Sequence, residues 1–138
     1  MVVDTGILLE FLLGTAQGQR INELLFSNDF ISAIHITPIT LVEMYYLVRR
    51  KRNRGETETE ITRITSIVNV YPLESYLNLT GEIKAFTAIS LADCATIALA
   101  ETRYIPAIFK HENELDEKLK LSETTQHLSR IVFVDDFL

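Results

Sequence analysis

Short apolar runs alternate along the chain with stretches whose apolar residues recur every three or four positions. That alternation predicts strands separated by helices in a layered α/β fold. Val2-Val3 begins a strand that Asp4-Thr5-Gly6 ends, and a short apolar helix follows from Ile7 to Leu13, stopped near Gly14. A second helix is expected over Arg20 to Ser27, with Ile21, Leu24 and Leu25 on one face. Phe30 to Thr37 reads as a strand closed by Pro38. From Thr40, the positions of Leu41, Met44, Tyr45 and Val48 predict a helix that runs into the basic stretch Arg49–Arg54. Gly55 is expected to break that pattern and Glu56 to Ile67 to resume it, with Ile61, Ile64, Ile67 and Val68 inward.

The second half repeats the rhythm. Val68 to Leu73 is a third strand ended by Pro72, and Ser75 to Ala88 a helix with Leu79, Ile83 and Phe86 inward. Ser90 to Arg103 is an Ala-rich helix able to lie close against a sheet. Ile105 to Phe109 and Ile131 to Val134 are the fourth and fifth strands, joined through a charged, partly helical connection from Glu112 to Leu121. Helices between successive strands imply parallel pairing through right-handed crossovers, with ligands outside the carboxyl ends of the strands.

Composition narrows the class. A chain of 138 residues with 47% apolar content suits one domain spanning 1–138. The start Met1-Val2-Val3-Asp4 has no basic lead, and no apolar run approaches the roughly 18–20 residues a membrane span needs. With the single cysteine Cys94, this suggests a cytoplasmic protein. A net charge of -6 argues against a nucleic-acid binder until its distribution is considered. Five of the 13 basic residues sit in Arg49-Arg50-Lys51-Arg52-Asn53-Arg54, in an otherwise acidic body. Such a run is either an ordinary solvated helix end or an edge that contacts phosphate.

Position, rather than number, makes the carboxylates informative. Asp4 follows the first strand, Glu43 and Asp93 fall in first helical turns, and Glu112 comes three residues after the fourth strand. All four belong to the carboxyl side of the predicted sheet. Thr40-x-x-Glu43 and Ser90-x-x-Asp93 also match the capping box, Asp4 suits a turn or cap, and Glu112 a solvated face. Were the four to converge, each pair about 5 Å apart would repel by on the order of 3 kcal/mol at an effective dielectric near 20. A hard divalent cation removes that penalty, and oxygen ligands without a Cys/His cluster favour Mg2+ or Mn2+.

Three segments carry a resemblance that covers essentially the whole chain. They are Val2-Val3-Asp4-Thr5, then Ile36-Thr37-Pro38-Ile39-Thr40-Leu41-Val42-Glu43, then Leu91-Ala92-Asp93-Cys94-Ala95-Thr96-Ile97-Ala98. In order and separation they resemble the PIN domain, especially its VapC-type toxins. The resemblance implies a central parallel sheet of about five strands flanked by helices, and a metal-dependent endoribonuclease. It implies metal-binding roles for Asp4, Glu43 and Asp93, with Glu112 as the fourth acid and Thr5 orienting Asp4 or a bound water. It also implies a homodimer and an antitoxin that blocks the site.

The chain departs from the family pattern after its fourth strand. Lys110 stands where Ser or Thr is usual, Glu112 stands for Asp, and Glu114 is a second acid two residues on. Gly6 replaces a common small polar residue. Lys110 is expected to compete with a cation, leaving one tight ion rather than two. Arg49, Arg50 and Arg52 are candidates to contact RNA or an acidic antitoxin segment. His35 is expected to be a hydrogen-bonded core histidine, His111 a loop histidine and Cys94 a small buried residue, while His127 has no informative context. Tyr45 and Tyr46 are candidates to stack on RNA bases, with at least one of them facing the core.

Three other readings are open. Val2-Val3-Asp4-Thr5-Gly6 matches the aspartic-protease signature, but the long helical patterns contradict the all-β fold of those enzymes. A PIN-like module that binds RNA or protein without cutting would follow from a weakened fourth acid. An RNA-processing nuclease outside any toxin system would share the same site.

Overall fold

The computed structural model describes residues 1–27, 33–120 and 130–138. Its strands are β1 (Val2–Val3), β2 (His35–Ile36), β3 (Asn69–Val70), β4 (Ala107–Phe109) and β5 (Ile131–Phe133). They form one sheet ordered β3-β2-β1-β4-β5, with every neighbouring pair parallel. The chain thus builds outward from β1 on one side, then crosses back to add β4 and β5 on the other. Connections leaving β1 and β4 part at this reversal, which opens a crevice at their carboxyl ends.

Seven α-helices among the described residues connect and cover the strands: α1 (Thr5–Leu13), α2 (Ala16–Ile21), α3 (Pro38–Arg49), α4 (Arg54–Ile67), α5 (Leu77–Phe86), α6 (Leu91–Arg103) and α7 (Asn113–Lys120). Because successive strand residues point to opposite faces, Val2 and Val3 belong to two different cores. Val2, Ala107 and Phe109 pack with Ile83, Ala95, Ala98 and Leu115 of α5, α6 and α7. Val3 and Ile108 pack with Ile7, Ile21, Met44 and Ile64 of α1 to α4. The alanines of α6 let its backbone approach β1, as the Ala-rich pattern predicts.

Several boundaries differ from the sequence expectations, each for a local reason. The first helix starts at Thr5, because the Asp4 side chain accepts from the Gly6 amide and caps it; Gly14 ends it in the left-handed region, at φ 61°. The second begins at Ala16 under a Thr15 cap and ends in a π-helical turn over Asn22–Phe26, where the Ser27 amide reaches the Asn22 carbonyl. That wider turn buries Phe26 and leaves the expected inward residue Leu24 40% exposed. Of the strand expected over Phe30 to Thr37, residues 30–32 lie outside the described residues and only His35–Ile36 pairs. Pro38 does not merely close that strand; it opens α3 as the first helical residue under the Thr37 cap. Gly55 does not break a helix, since Asn53 and Glu56 form a capping box that starts α4 at Arg54. The third strand shrinks to an exposed edge pair, with a 3-10 turn (Leu73–Ser75) after Pro72. Phe86, expected inward, is 55% exposed at the end of α5, where Thr80 and Ile83 take the buried positions.

Candidate metal centre

At the carboxyl edge of β1 and β4 lies a cleft of about 220 Å³ lined by Asp4, Glu43, Asp93 and Glu112. Four carboxylates that are remote in sequence therefore share one pocket. Each arrives by a different local device. Asp4 is held by its cap role on α1, its Oδ2 accepting from the Gly6 amide at 3.0 Å. Asp93 is the third residue of α6; the Ser90 hydroxyl accepts from its amide at 3.0 Å, and its carboxylate accepts from the Ser90 amide at 3.3 Å. The predicted capping box is real there, and the same side chain faces the cleft.

The other predicted box is not formed. Thr37, not Thr40, caps α3, and the buried Thr40 bonds back to it through amide and hydroxyl. Glu43 consequently lies beyond the first turn, without a capping role. Its Oε2 accepts from the Thr5 hydroxyl at 2.6 Å and its Oε1 faces the Tyr46 hydroxyl at 3.4 Å. The Thr5 side chain thus orients Glu43, where the expectation was Asp4 or a bound water. Glu112 precedes α7 and is exposed at the cleft. The Glu114 side chain lies outside the described residues, as does His127.

Electrostatics mark the centre of the group. Asp4 is 8% exposed. Burial pushes its carboxyl up to about 8, and the charges of Asp93 and Glu43 add to the rise against the pull of the Gly6 and Thr5 amides. Asp93 is raised as well, by burial first, then by Glu43 and Glu112, while the Ser90 hydrogen bonds oppose the shift. Gly6 keeps the space between two of the acids clear. A Cβ there would come within 3.1 Å of Asp4 Oδ2 and 3.7 Å of Glu112 Oε1.

Among the described residues, no three Asp, Glu, His or Cys side chains are already gathered into a ready-made ligand cage. The acids line one cleft, with Asp4, Glu43 and Asp93 each held by a separate hydrogen bond. Their chemistry nevertheless fits a hard divalent cation. The donors are all oxygen, and Asp4 and Asp93 are desolvated like charges, which a cation would relieve.

Lys110 does not compete for that position. Its ammonium pairs with Glu10, whose other oxygen accepts from Thr15. The cationic side chain lining the cleft is instead Lys118, which the sequence reading did not single out. Its signal was present: Leu115 and Lys118 are three apart on a helix that starts just after Glu112.

The remaining candidates resolve individually. His111 donates its backbone N–H to Asp135, while its ring bonds Asp116 at 2.9 Å and Asp136 at 3.4 Å and stacks on Phe133. The Asp116 hydrogen bond raises its pKa above the ordinary histidine value. His35 departs from its expected role: it is half-buried, its Nδ1 has no hydrogen-bond partner, and the ring sits edge-on to Tyr71. Burial, the N-terminal ammonium and Arg103 lower its pKa. Cys94 is buried as expected. In the basic run, Arg49 donates to the Arg52 carbonyl, Arg52 pairs with Glu60, and the Arg50 guanidinium lies 5.0 Å from the centre of the Tyr46 ring.

The family model of the PIN domain matches residues 1–121 of the chain. Two solved structures share its fold over nearly the full length. One is a toxin-antitoxin complex from Klebsiella pneumoniae, with a TM-score of 0.65 and 14% identity, covering 95% of this chain and 94% of that one. The other is VapBC2 from Rickettsia felis bound to a DNA fragment from their promoter, again with a TM-score of 0.65 and 14% identity, covering 96% and 95%. No curated protein matches the chain.

Proposed function

Because the chain belongs to the PIN domain family, we propose that it is a divalent-metal-dependent endoribonuclease that cleaves RNA phosphodiester bonds, the toxin of a toxin-antitoxin pair. The observation that carries this reading is the acid cleft, where a buried aspartate raised to about 8 lies among three further carboxylates. Asp4, Glu43, Asp93 and Glu112 would hold Mg2+ or Mn2+. The ion supplies activation of a water and stabilisation of charge on the phosphodiester under in-line attack. The protein's own contribution is placement. Thr5 holds one oxygen of Glu43, Ser90 sets Asp93 in the first turn of α6, and the surrounding packing buries Asp4.

The two structures of the same fold described above are toxin-antitoxin assemblies, which supports an antitoxin as partner. A small protein encoded beside this one, with a DNA-binding N-terminus and an acidic or apolar tail, is the expected form of that partner. The proposal includes a homodimer and a cytoplasmic setting. No helix among the described residues is long and apolar enough to cross a membrane.

The decisive assay incubates purified protein with labelled single-stranded and hairpin RNA in Mg2+, Mn2+ or EDTA, beside Asp93→Asn. Cleavage should require metal and vanish in the variant, with the fold retained. RNA left intact under every condition, together with no metal bound, would overturn the nuclease in favour of a PIN-like binding module. That second reading draws on the exposed Glu112 and on the lack of a preformed cage among the described residues.

A further inference from the structure

Glu43, Tyr46 and Arg50 lie at i, i+3 and i+7 on α3, so they form one stripe leading from the acid cleft to the basic end of the helix. Tyr46 is the middle of that stripe and is 41% exposed, whereas Tyr45 is half-buried. Its hydroxyl is 3.4 Å from Glu43 Oε1, and the Arg50 guanidinium stands 5.0 Å over its ring. The ring therefore lies beside the cleft, in contact with one of its acids through the hydroxyl and with a guanidinium over its face.

We propose that Tyr46 is a specificity-determining residue of the RNA site, stacking one unpaired base beside the scissile phosphate while its hydroxyl steadies Glu43. This rests on the ribonuclease reading and names the protein surface that would select unpaired nucleotides there. The chemistry favours a base over a protein side chain. Adjacent turns of a helix are about 5.4 Å apart, so a nucleotide whose phosphate lies over Glu43 has its own or its neighbour's base within reach of the ring. Every base has a π-face, and a ring carrying a guanidinium strengthens stacking without choosing a sequence. The Arg50 guanidinium, lying over the ring, adds positive charge for the phosphate beside the stacked base. A base paired in a duplex cannot leave its stack to reach the ring without losing that pairing.

The test compares the full chain with Tyr46→Leu and Tyr46→Phe, binding a labelled single-stranded RNA and the same sequence as a perfect duplex in EDTA, where cleavage cannot interfere. Tyr46→Leu should weaken single-strand binding about five- to a hundredfold and leave duplex binding unchanged. Tyr46→Phe should bind within about twofold of the parent, yet cleave more slowly in magnesium at an unchanged KM, because only the contact to Glu43 is gone. Circular dichroism confirms that both variants fold. Equal single-strand affinity for the parent and Tyr46→Leu overturns the proposal, and if that variant also loses self-association the ring belongs to a protein interface instead. The two readings fail separately. A parent that binds through Tyr46 but cleaves nothing keeps the stacking site and loses the nuclease; a Tyr46→Leu protein that cleaves single strands with the parent's KM keeps the nuclease and loses the stacking site.

Discussion

Asp4 does two jobs with one side chain: it caps α1 through Gly6 and it is the most desolvated acid of the cleft. Its proton is held to about 8 in the folded chain, against an ordinary value of 3.8. Between those values the folded state binds more protons than the unfolded one, so stability falls as pH rises through that window. Asp93, also raised, adds to the same slope. His35, with its lowered pKa, acts in the opposite direction, losing stability as pH falls through its ordinary value of 6.5. Thermal melts in EDTA should therefore show the parent losing stability relative to Asp4→Asn between pH 5 and pH 8, by an amount on the order of a few kcal/mol. A constant difference between the two proteins across that range would refute the burial of an ionisable Asp4. At this scale the sequence was informative about which acids share the cleft, because all four were placed on the carboxyl side of the sheet. It gave the local caps that hold Asp4 and Asp93 but not the longer-range partners. Thr5 serves Glu43, and Lys110 turns to Glu10, because both partners come from elements far away in the chain.

Among the elements, α6 shows how a stability device and a place in the acid cleft can coincide. The Ser90–Asp93 box satisfies the helix end and places the acid in the cleft by the same bonds. Ser90→Ala should cost about 1 kcal/mol, within a range of roughly 0.5–2, seen as a lower urea midpoint at an unchanged slope. A midpoint equal to the parent's would mean the cap contributes nothing. The contrast with α3 explains why one box was legible and the other misleading. Both segments carry a hydroxyl three residues before an acid, but Thr37-Pro38 supplies an earlier hydroxyl followed by a residue suited to the first helical position. The earlier cap wins, which moves Glu43 from a capping site to the cleft-facing second turn. Leu24 and Phe86 misled for a related reason. A constant 3.6 period places both inward, yet a π-helical turn resets the phase after Ile21, and α5 ends at Phe86.

For the molecule as a whole, charge is separated rather than merely negative. The acids gather at the centre of the sheet's carboxyl edge, and the basic run closes α3 and opens α4. Its arginines are not equivalent. Arg52 is tied to Glu60, whereas Arg49 and Arg50 are exposed at the end of α3. Replacing Arg49 and Arg50 together by Ala should reduce the dependence of RNA affinity on salt by a logarithmic slope of about 1.4, given roughly 0.7 per phosphate contact on a single strand. Arg52→Ala should leave that slope unchanged. If neither the RNA slope nor the affinity for an antitoxin changes in the double variant, the run is ordinary surface.

Period, punctuation and order along the chain were enough to determine an α/β layering, the identity of five parallel strands and the side of the sheet on which the acids fall, since these follow from local pattern and chain connectivity. The order β3-β2-β1-β4-β5 and the sharing of one cleft by residues 4, 43, 93 and 112 were decided only in three dimensions. So were the pairing of Thr5 with Glu43 and the diversion of Lys110 to Glu10. Those outcomes depend on packing the two faces of the sheet, which brings distant elements within hydrogen-bond range and removes water from Asp4, and no spacing along a chain encodes the distance between side chains that meet across a core.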